Sequence, residues 1–117
     1  MKQSASKNEI LKFDSQFKRI YSKGSSCVRP SLVVYAKKNG IPGNRLGITV
    51  SKKIGKAVIR NRAKRRLREL FRINSGNIKS GYDFILVARR RTAFSRFSVL
   101  TSDFQSALKE IGVWEDE

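Results

Sequence analysis

Histidine is absent from this chain, cysteine occurs once, and nine acids face 26 lysines and arginines. Without histidine, both the commonest general acid–base side chain and the commonest zinc ligand are missing, which excludes a histidine-centred hydrolase and a zinc module. The lone Cys27 cannot close an internal disulfide. It fits a reducing compartment and reads as a small core residue. The acids are scattered, five of the nine lying after residue 102. Asp14 and Asp83 read as a helix cap and a strand-edge residue, so no carboxylate set is placed to hold a metal ion beside a scissile phosphate. HExxH, GxGxxG and phosphate-loop patterns are missing too. Long apolar runs are also lacking: none approaches the roughly 20 residues that span a bilayer. Met1-Lys2-Gln3-Ser4 leads into polar sequence and not into a signal-peptide core. The expectation is a soluble, cytoplasmic protein with no membrane partner.

What is present is positive charge on a chain that can still fold. The formal net charge is +17, the pI is near 10.9, and 39% of residues are hydrophobic, with seven phenylalanines. The charge implies a polyanionic partner, and the phenylalanines imply a real core. At 117 residues the expectation is one domain, burying roughly two-thirds of its unfolded surface. Residues 1–12 and 113–117 are expected to be poorly ordered, although Ile10, Leu11 and Phe13 could fold back onto the body.

Charge and core meet between Lys52 and Arg72, KKIGKAVIRNRAKRRLRELFR, which has ten lysines and arginines against one acid, Glu69. Ile59, Ala63, Leu67, Leu70 and Phe71 follow steps of three and four, so they share one side of an α-helix. Asn61, Lys64, Arg65, Arg68 and Arg72 stand opposite, with Arg60, Arg62 and Arg66 on the flanks. A charge-rich helix is most often just a solvated face, but such faces mix signs in pairs four apart. Here only Glu69 can pair, with Arg65 or Arg72. The remaining repulsion would be relieved by a phosphate backbone, so the helix reads as a nucleic-acid-binding face.

Around it the element order αβββαβα can be read. A short helix begins at Asp14 or Ser15 and ends at Gly24, with Phe17, Ile20 and Tyr21 on one face. A minor extended piece near Ser26–Arg29 precedes a strand over Ser31–Lys37. Turn chemistry at Asn39-Gly40 and Pro42-Gly43-Asn44 then leads to a strand over Arg45–Ser51, and the pair reads as an antiparallel hairpin with a longish loop. The basic helix runs from about Gly55–Ala57 to just before Ser75-Gly76. Tyr82–Ala88 is a strand apolar enough to be buried on both faces. After the Arg89-Arg90-Arg91 cluster comes a last helix, about Ser98–Ile111, with Val99, Phe104, Ala107, Leu108 and Ile111 inward. Phe13, Phe17 and Tyr21 form an aromatic stripe, and Val33 and Tyr35 share a strand face. Such a stripe is more often core than not; the alternative is a platform for stacking single-stranded bases.

From Lys53 to Glu69 the chain reads KIGKAVIRNRAKRRLRE, after a strand ending Val50-Ser51-Lys52-Lys53. This closely resembles the protein component of bacterial ribonuclease P, whose hallmark is an Arg-Asn-Arg core in a helix of the form KxGxAxxRNRxKRxxRE. Arg45-Leu46-Gly47, Tyr82-Asp83 and Ala88-Arg89 fit the same pattern, so the likeness covers roughly residues 10 to 110. The resemblance implies an α+β, αβββαβα two-layer sandwich similar to the second domain of ribosomal protein S5, with a left-handed βαβ crossover where general rules favour a right-handed one. It also implies a monomeric protein subunit that binds a catalytic RNA and the 5′ leader of precursor tRNA, promoting maturation of the tRNA 5′ end. The chemistry would be carried by that RNA and its Mg²⁺, with no metal held strongly by the protein alone. By position, Lys52, Lys53, Lys56, Arg60, Asn61, Arg62, Lys64, Arg65 and Arg68 would face the catalytic RNA, and Phe13, Phe17, Tyr21, Val33 and Tyr35 would form the leader cleft. The rivals are a ribosomal or ribosome-associated RNA-binding protein and a DNA-binding protein. The latter would need a recognition helix and usually a dimer.

Overall fold

Five consecutive apolar residues, Phe84 to Ala88, cannot alternate between core and solvent, and they take the middle of a sheet. The computed structural model describes residues 9–11 and 14–116. Its strands are β1 (Glu9–Ile10), β2 (Ser25–Arg29), β3 (Leu32–Lys38), β4 (Arg45–Thr49) and β5 (Tyr82–Ala88), and its helices are α1 (Asp14–Lys23), α2 (Ala57–Asn74) and α3 (Phe97–Ile111). The sheet order is β1-β4-β5-β3-β2. β5 pairs in parallel with β4 and antiparallel with β3. Side chains alternate across the pleat, so Phe84 and Leu86 enter the main core with Val34, Leu46 and the inner faces of α2 and α3. Ile85 points the other way, into a small second core with Leu11 and Ile20. The sheet with α2 and α3 makes the sandwich, and α1 lies across the opposite face.

The hairpin expected of β3 and β4 does not form, because β5 lies between them. The turn residues serve another purpose: they carry the loop from 39 to 44 over the start of β5. Asn39 N–H donates to Gly81 O at 2.9 Å, Asn44 Oδ1 accepts from Tyr82 N–H at 2.9 Å, and Ser80 Oγ donates to Pro42 O at 2.6 Å. Asp83 is correspondingly no strand-edge residue. It is buried on the central strand, with a bidentate pair to Arg45 at 2.7 and 2.8 Å and a third bond from Asn39 Nδ2 at 3.0 Å.

Within the described residues, the segments near each end are tied to the body. Glu9–Ile10 adds a two-residue parallel strand beside β4, and Leu11 is buried after it. At the other end Val113 is buried, Trp114 bridges to Ile78, and Glu115 N–H donates to Asn77 O at 2.7 Å. In each case a buried apolar residue with apolar neighbours supplies the anchor, Leu11 after Ile10 and Val113 before Trp114. In α3 the inward stripe starts at Leu100, which is fully buried, while Val99 on the flank is 45% exposed. The other expected inward residues, Phe104, Ala107 and Leu108, are buried, and Ile111 packs against them.

Cys27 is a buried core residue whose Sγ accepts from Arg29 Nη1 at 2.7 Å. Burial pushes its thiol pKa up, against the opposing pull of the Arg29 charge. Arg29 also reaches Ser106 and Glu110 on α3, tying the edge strand β2 to that helix. Its hydrogen bond holds the Glu110 carboxyl below the usual range.

Between α1 and β2 the chain turns at Gly24, where a Cβ would lie 2.7 Å from Ile20 O and 2.8 Å from Ala36 O. Both obstacles are backbone and cannot swing aside. Gly24→Ala is expected to destabilise the fold by about 1–3 kcal/mol through overpacking, read as a lowered midpoint in urea. An unchanged midpoint would contradict this packing.

Candidate nucleic-acid interface

α2 is seated by its apolar stripe. Ala63, Leu67, Leu70 and Phe71 are buried and Ile59 packs partly against the same core. The Phe71 ring meets Phe84 at 5.5 Å and Phe104 at 6.4 Å between centroids, which fixes the rotation of the helix about its own axis. That rotation leaves Asn61, Arg62, Lys64, Arg65, Arg68 and Arg72 exposed, as the periodicity predicts. Glu69 pairs with Arg72 at 2.6 Å and not with Arg65. The hydrogen bond from Arg72 holds the Glu69 carboxyl below its ordinary range. Lys52 and Lys53 are exposed on a 3₁₀ turn that Ser51 caps, and Lys56 is exposed just before the first turn of α2, which contains no acid.

Not every cation on α2 is available to a ligand in the same way. Lys64, Arg65 and Arg68 are exposed, and their side chains make no hydrogen bond within the described residues. Arg60, by contrast, is half-buried and donates from Nη1 to Gly55 O at 2.8 Å. Arg62 Nε donates to Ala93 O at 2.7 Å, and Arg66 Nη1 reaches the same carbonyl at 2.8 Å. Arg66 also bonds Ser95 O and lies 5.8 Å over the Phe97 ring. Burial, followed by the nearby Arg62 charge, lowers the Arg66 pKa. Arg62 and Arg66 therefore brace the turn before α3, a role that charge patterning alone does not reveal.

On the opposite face of the sheet, the structure brings Phe17, Tyr21, Val33 and Tyr35 together; Phe13 lies outside the described residues. Tyr21 meets Tyr35 edge-on, with centroids 4.9 Å apart, and Phe17 at 6.4 Å. Tyr21 Oη and Thr49 Oγ1 share a hydrogen bond of 2.7 Å. The Phe17 ring rests over Gly47, where an added Cβ would come within 2.5 Å of its Cζ. The stripe is thus partly core, resting on Leu11, Ile20 and Ile85. Its floor continues past α1 through half-buried Val33 and its β5 partner Val87, to Val28, which is 60% exposed. Sequence reading missed Thr49 and Val87. Their membership follows from strand order, which no local signal carried.

The two surfaces meet at one end of the sheet. From Thr49, on the aromatic floor, the chain passes through the lysine turn Lys52–Ile54 directly into α2. Among the described residues no three histidine, cysteine or acid side chains cluster to hold a metal ion, and no helix is long and apolar enough to cross a membrane. Four of the acids are already engaged: Asp83 with Arg45, Asp103 with Ser31, Glu69 with Arg72 and Glu110 with Arg29. A cationic helix beside a ring-lined floor, on an α+β sandwich, defines an RNA-binding protein.

Comparison with known proteins gives the family. The Ribonuclease P family profile matches residues 5–112. The ribonuclease P protein component of Caldanaerobacter subterraneus subsp. tengcongensis is 42% identical over 107 residues, covering 92% of each chain. The ribonuclease P protein of Staphylococcus aureus superposes with a TM-score of 0.79 at 36% identity, over 91% of this chain and 97% of that one. The Thermotoga maritima protein gives 0.78 at 35% identity, over 87% and 96%. The chain belongs to the ribonuclease P protein family: it is a subunit of an endoribonuclease holoenzyme of tRNA processing and works with an RNA partner. The ribosomal alternative finds no support.

Removing the Arg66 fork leaves Ser95 O without its Arg66 donor and Ala93 O with Arg62 Nε alone. Arg66→Ala is expected to destabilise by about 1–3 kcal/mol, and Arg66→Lys to restore little, since an ammonium cannot span two carbonyls as a planar fork does. Lys64→Ala and Arg65→Ala should leave the thermal midpoint unchanged. Equal midpoints for all four variants would remove the bracing role.

Proposed function

We propose that this subunit binds the catalytic RNA through the exposed cations of α2 and the Lys52–Lys56 segment, and the 5′ leader of precursor tRNA along the floor of Phe17, Tyr21, Val33 and Tyr35. The carrying observation is that the two surfaces adjoin at the end of β4, so one RNA held on α2 would bring its substrate's single strand onto the rings. Arg62 and Arg60 contribute the donors left over from their backbone bonds, and Asn61 stands exposed between them. Mg²⁺, held by the RNA, supplies the cleavage chemistry. That several described carboxylates are already in ion pairs and hydrogen bonds supports leaving the metal to the RNA. The chain acts as a monomer, its cations replacing some of the ions that folded RNA otherwise needs between its phosphates.

Reconstitution with a bacterial-type catalytic RNA tests this. The protein alone should cleave nothing, and the reconstituted particle should process precursor tRNA at Mg²⁺ concentrations too low for the RNA alone. Cleavage by repurified, nuclease-treated protein would overturn the division of labour. Arg65→Ala and Arg68→Ala should each weaken binding to the catalytic RNA and flatten its log–log salt dependence by roughly 0.7–0.9 for each phosphate no longer neutralised.

For the leader, Tyr35→Ala should weaken holoenzyme binding of precursor tRNA by about 1–3 kcal/mol for each base stack removed, with little change for mature tRNA. The ratio of the two dissociation constants at fixed salt, in Ca²⁺, is the measurement. Equal weakening of both would return Tyr35 to a purely structural role.

A further inference from the structure

Neither surface uses the Arg89-Arg90-Arg91 cluster or the phenylalanine that follows it. We infer that the turn from Arg89 to Phe97 is a further RNA-contact element, in which the Phe94 ring stacks on an unpaired base of the catalytic RNA while Arg90, Arg91 and Arg96 hold the phosphates beside it. This rests on the reading that α2 binds that RNA.

The turn is held firmly from behind. Thr92 and Ala93 are fully buried. Thr92 Oγ1 accepts from Arg89 N–H at 2.9 Å and donates to Ser31 O at 2.5 Å. Arg62 and Arg66 take up Ala93 O, Arg66 takes up Ser95 O, and the Phe94 and Ser95 N–H groups both close on Arg91 O. So fixed, the backbone cannot fold the Phe94 ring inward. Phe94 is 67% exposed, whereas every other phenylalanine among the described residues is buried or half-buried.

A single exposed apolar side chain is ordinary, and the surroundings set this one apart. Arg90, Arg91 and Arg96 are exposed, with no side-chain hydrogen bond or ion pair among the described residues, and no acid occurs between Asp83 and Asp103. Unneutralised guanidinium groups around a rigid ring suit a phosphate backbone with an unstacked base, and an RNA loop offers both. A duplex would hide the face of the base. The occupant is taken as the catalytic RNA because the residues on either side of Phe94, Ala93 and Ser95, are bonded directly by Arg62 and Arg66 of α2, the helix read as binding that RNA.

The test uses the full chain reconstituted with a bacterial-type catalytic RNA and precursor tRNA. A benzoylphenylalanine replaces Phe94 in one sample and Lys64 in another, and both are irradiated. The inference expects crosslinks to the catalytic RNA from both positions, with the Phe94 product mapping to an unpaired nucleotide. A crosslink from position 64 and none from 94 overturns this inference and leaves the α2 reading standing, whereas none from either overturns both. A crosslink from position 94 to precursor tRNA overturns the choice of occupant. In parallel, Phe94→Ala should raise the dissociation constant for the catalytic RNA about tenfold, with the thermal midpoint and salt slope unchanged, and Phe94→Trp should restore it. Arg91→Ala should lower the salt slope. An unaltered dissociation constant for Phe94→Ala would sink the stacking role.

Discussion

The seating of α2 on the sheet is the constraint on which the rest depends, because that helix must bury one side while crowding cations onto the other. Like charges three or four residues apart, such as Arg60 and Lys64 or Lys64 and Arg68, each destabilise an exposed helix by about 0.2–0.5 kcal/mol. Full burial of side chains the size of Leu67, Leu70 and Phe71 contributes about 1.5–3 kcal/mol apiece. Burial therefore prevails several-fold, and the charge can accumulate on a helix whose orientation the core dictates. The rings of Phe84 and Phe104 against Phe71 set that orientation.

The same arginine-rich segment does two kinds of work, divided by position around the helix. Side chains at the boundary between core and solvent, Arg60, Arg62 and Arg66, turn their donors onto backbone carbonyls. Those further round, Lys64, Arg65 and Arg68, keep theirs outward. A guanidinium suits the boundary because its planar fork satisfies several acceptors while its charge still reaches solvent. One helix thus braces the chain around it and presents charge, and substitutions along it separate into effects on folding and effects on binding.

Much of this could be read from sequence, and the failures share a cause. Periodicity located α2, β5 and α3 to within a residue or two, since 3.6-residue and continuous apolar patterns are local properties. The match around Arg60-Asn61-Arg62 pointed to the family. What could not be read was long-range pairing: that β5 inserts between β3 and β4, that Asp83 is therefore central and buried, and that Val87 and Thr49 join the aromatic floor. The bracing by Arg62 and Arg66 was hidden likewise, because the Ala93 carbonyl lies 27 or more residues away in the chain. Charge alone cannot distinguish an arginine that faces a ligand from one that faces its own backbone. The anchoring of Leu11 was legible in the apolar pair Ile10-Leu11, whereas that of Val113 was hidden by the acidic residues that follow it.

Cys27 has a practical corollary. The sole thiol of the chain is enclosed between β2 and α3, and burial holds it in the protonated, poorly nucleophilic form. A cysteine introduced at an exposed position would carry its own reactive thiol without competition. Fluorophores or spin labels could then be attached at chosen positions along the outer side of α2 in an otherwise natural sequence, and distances to a bound RNA measured one position at a time.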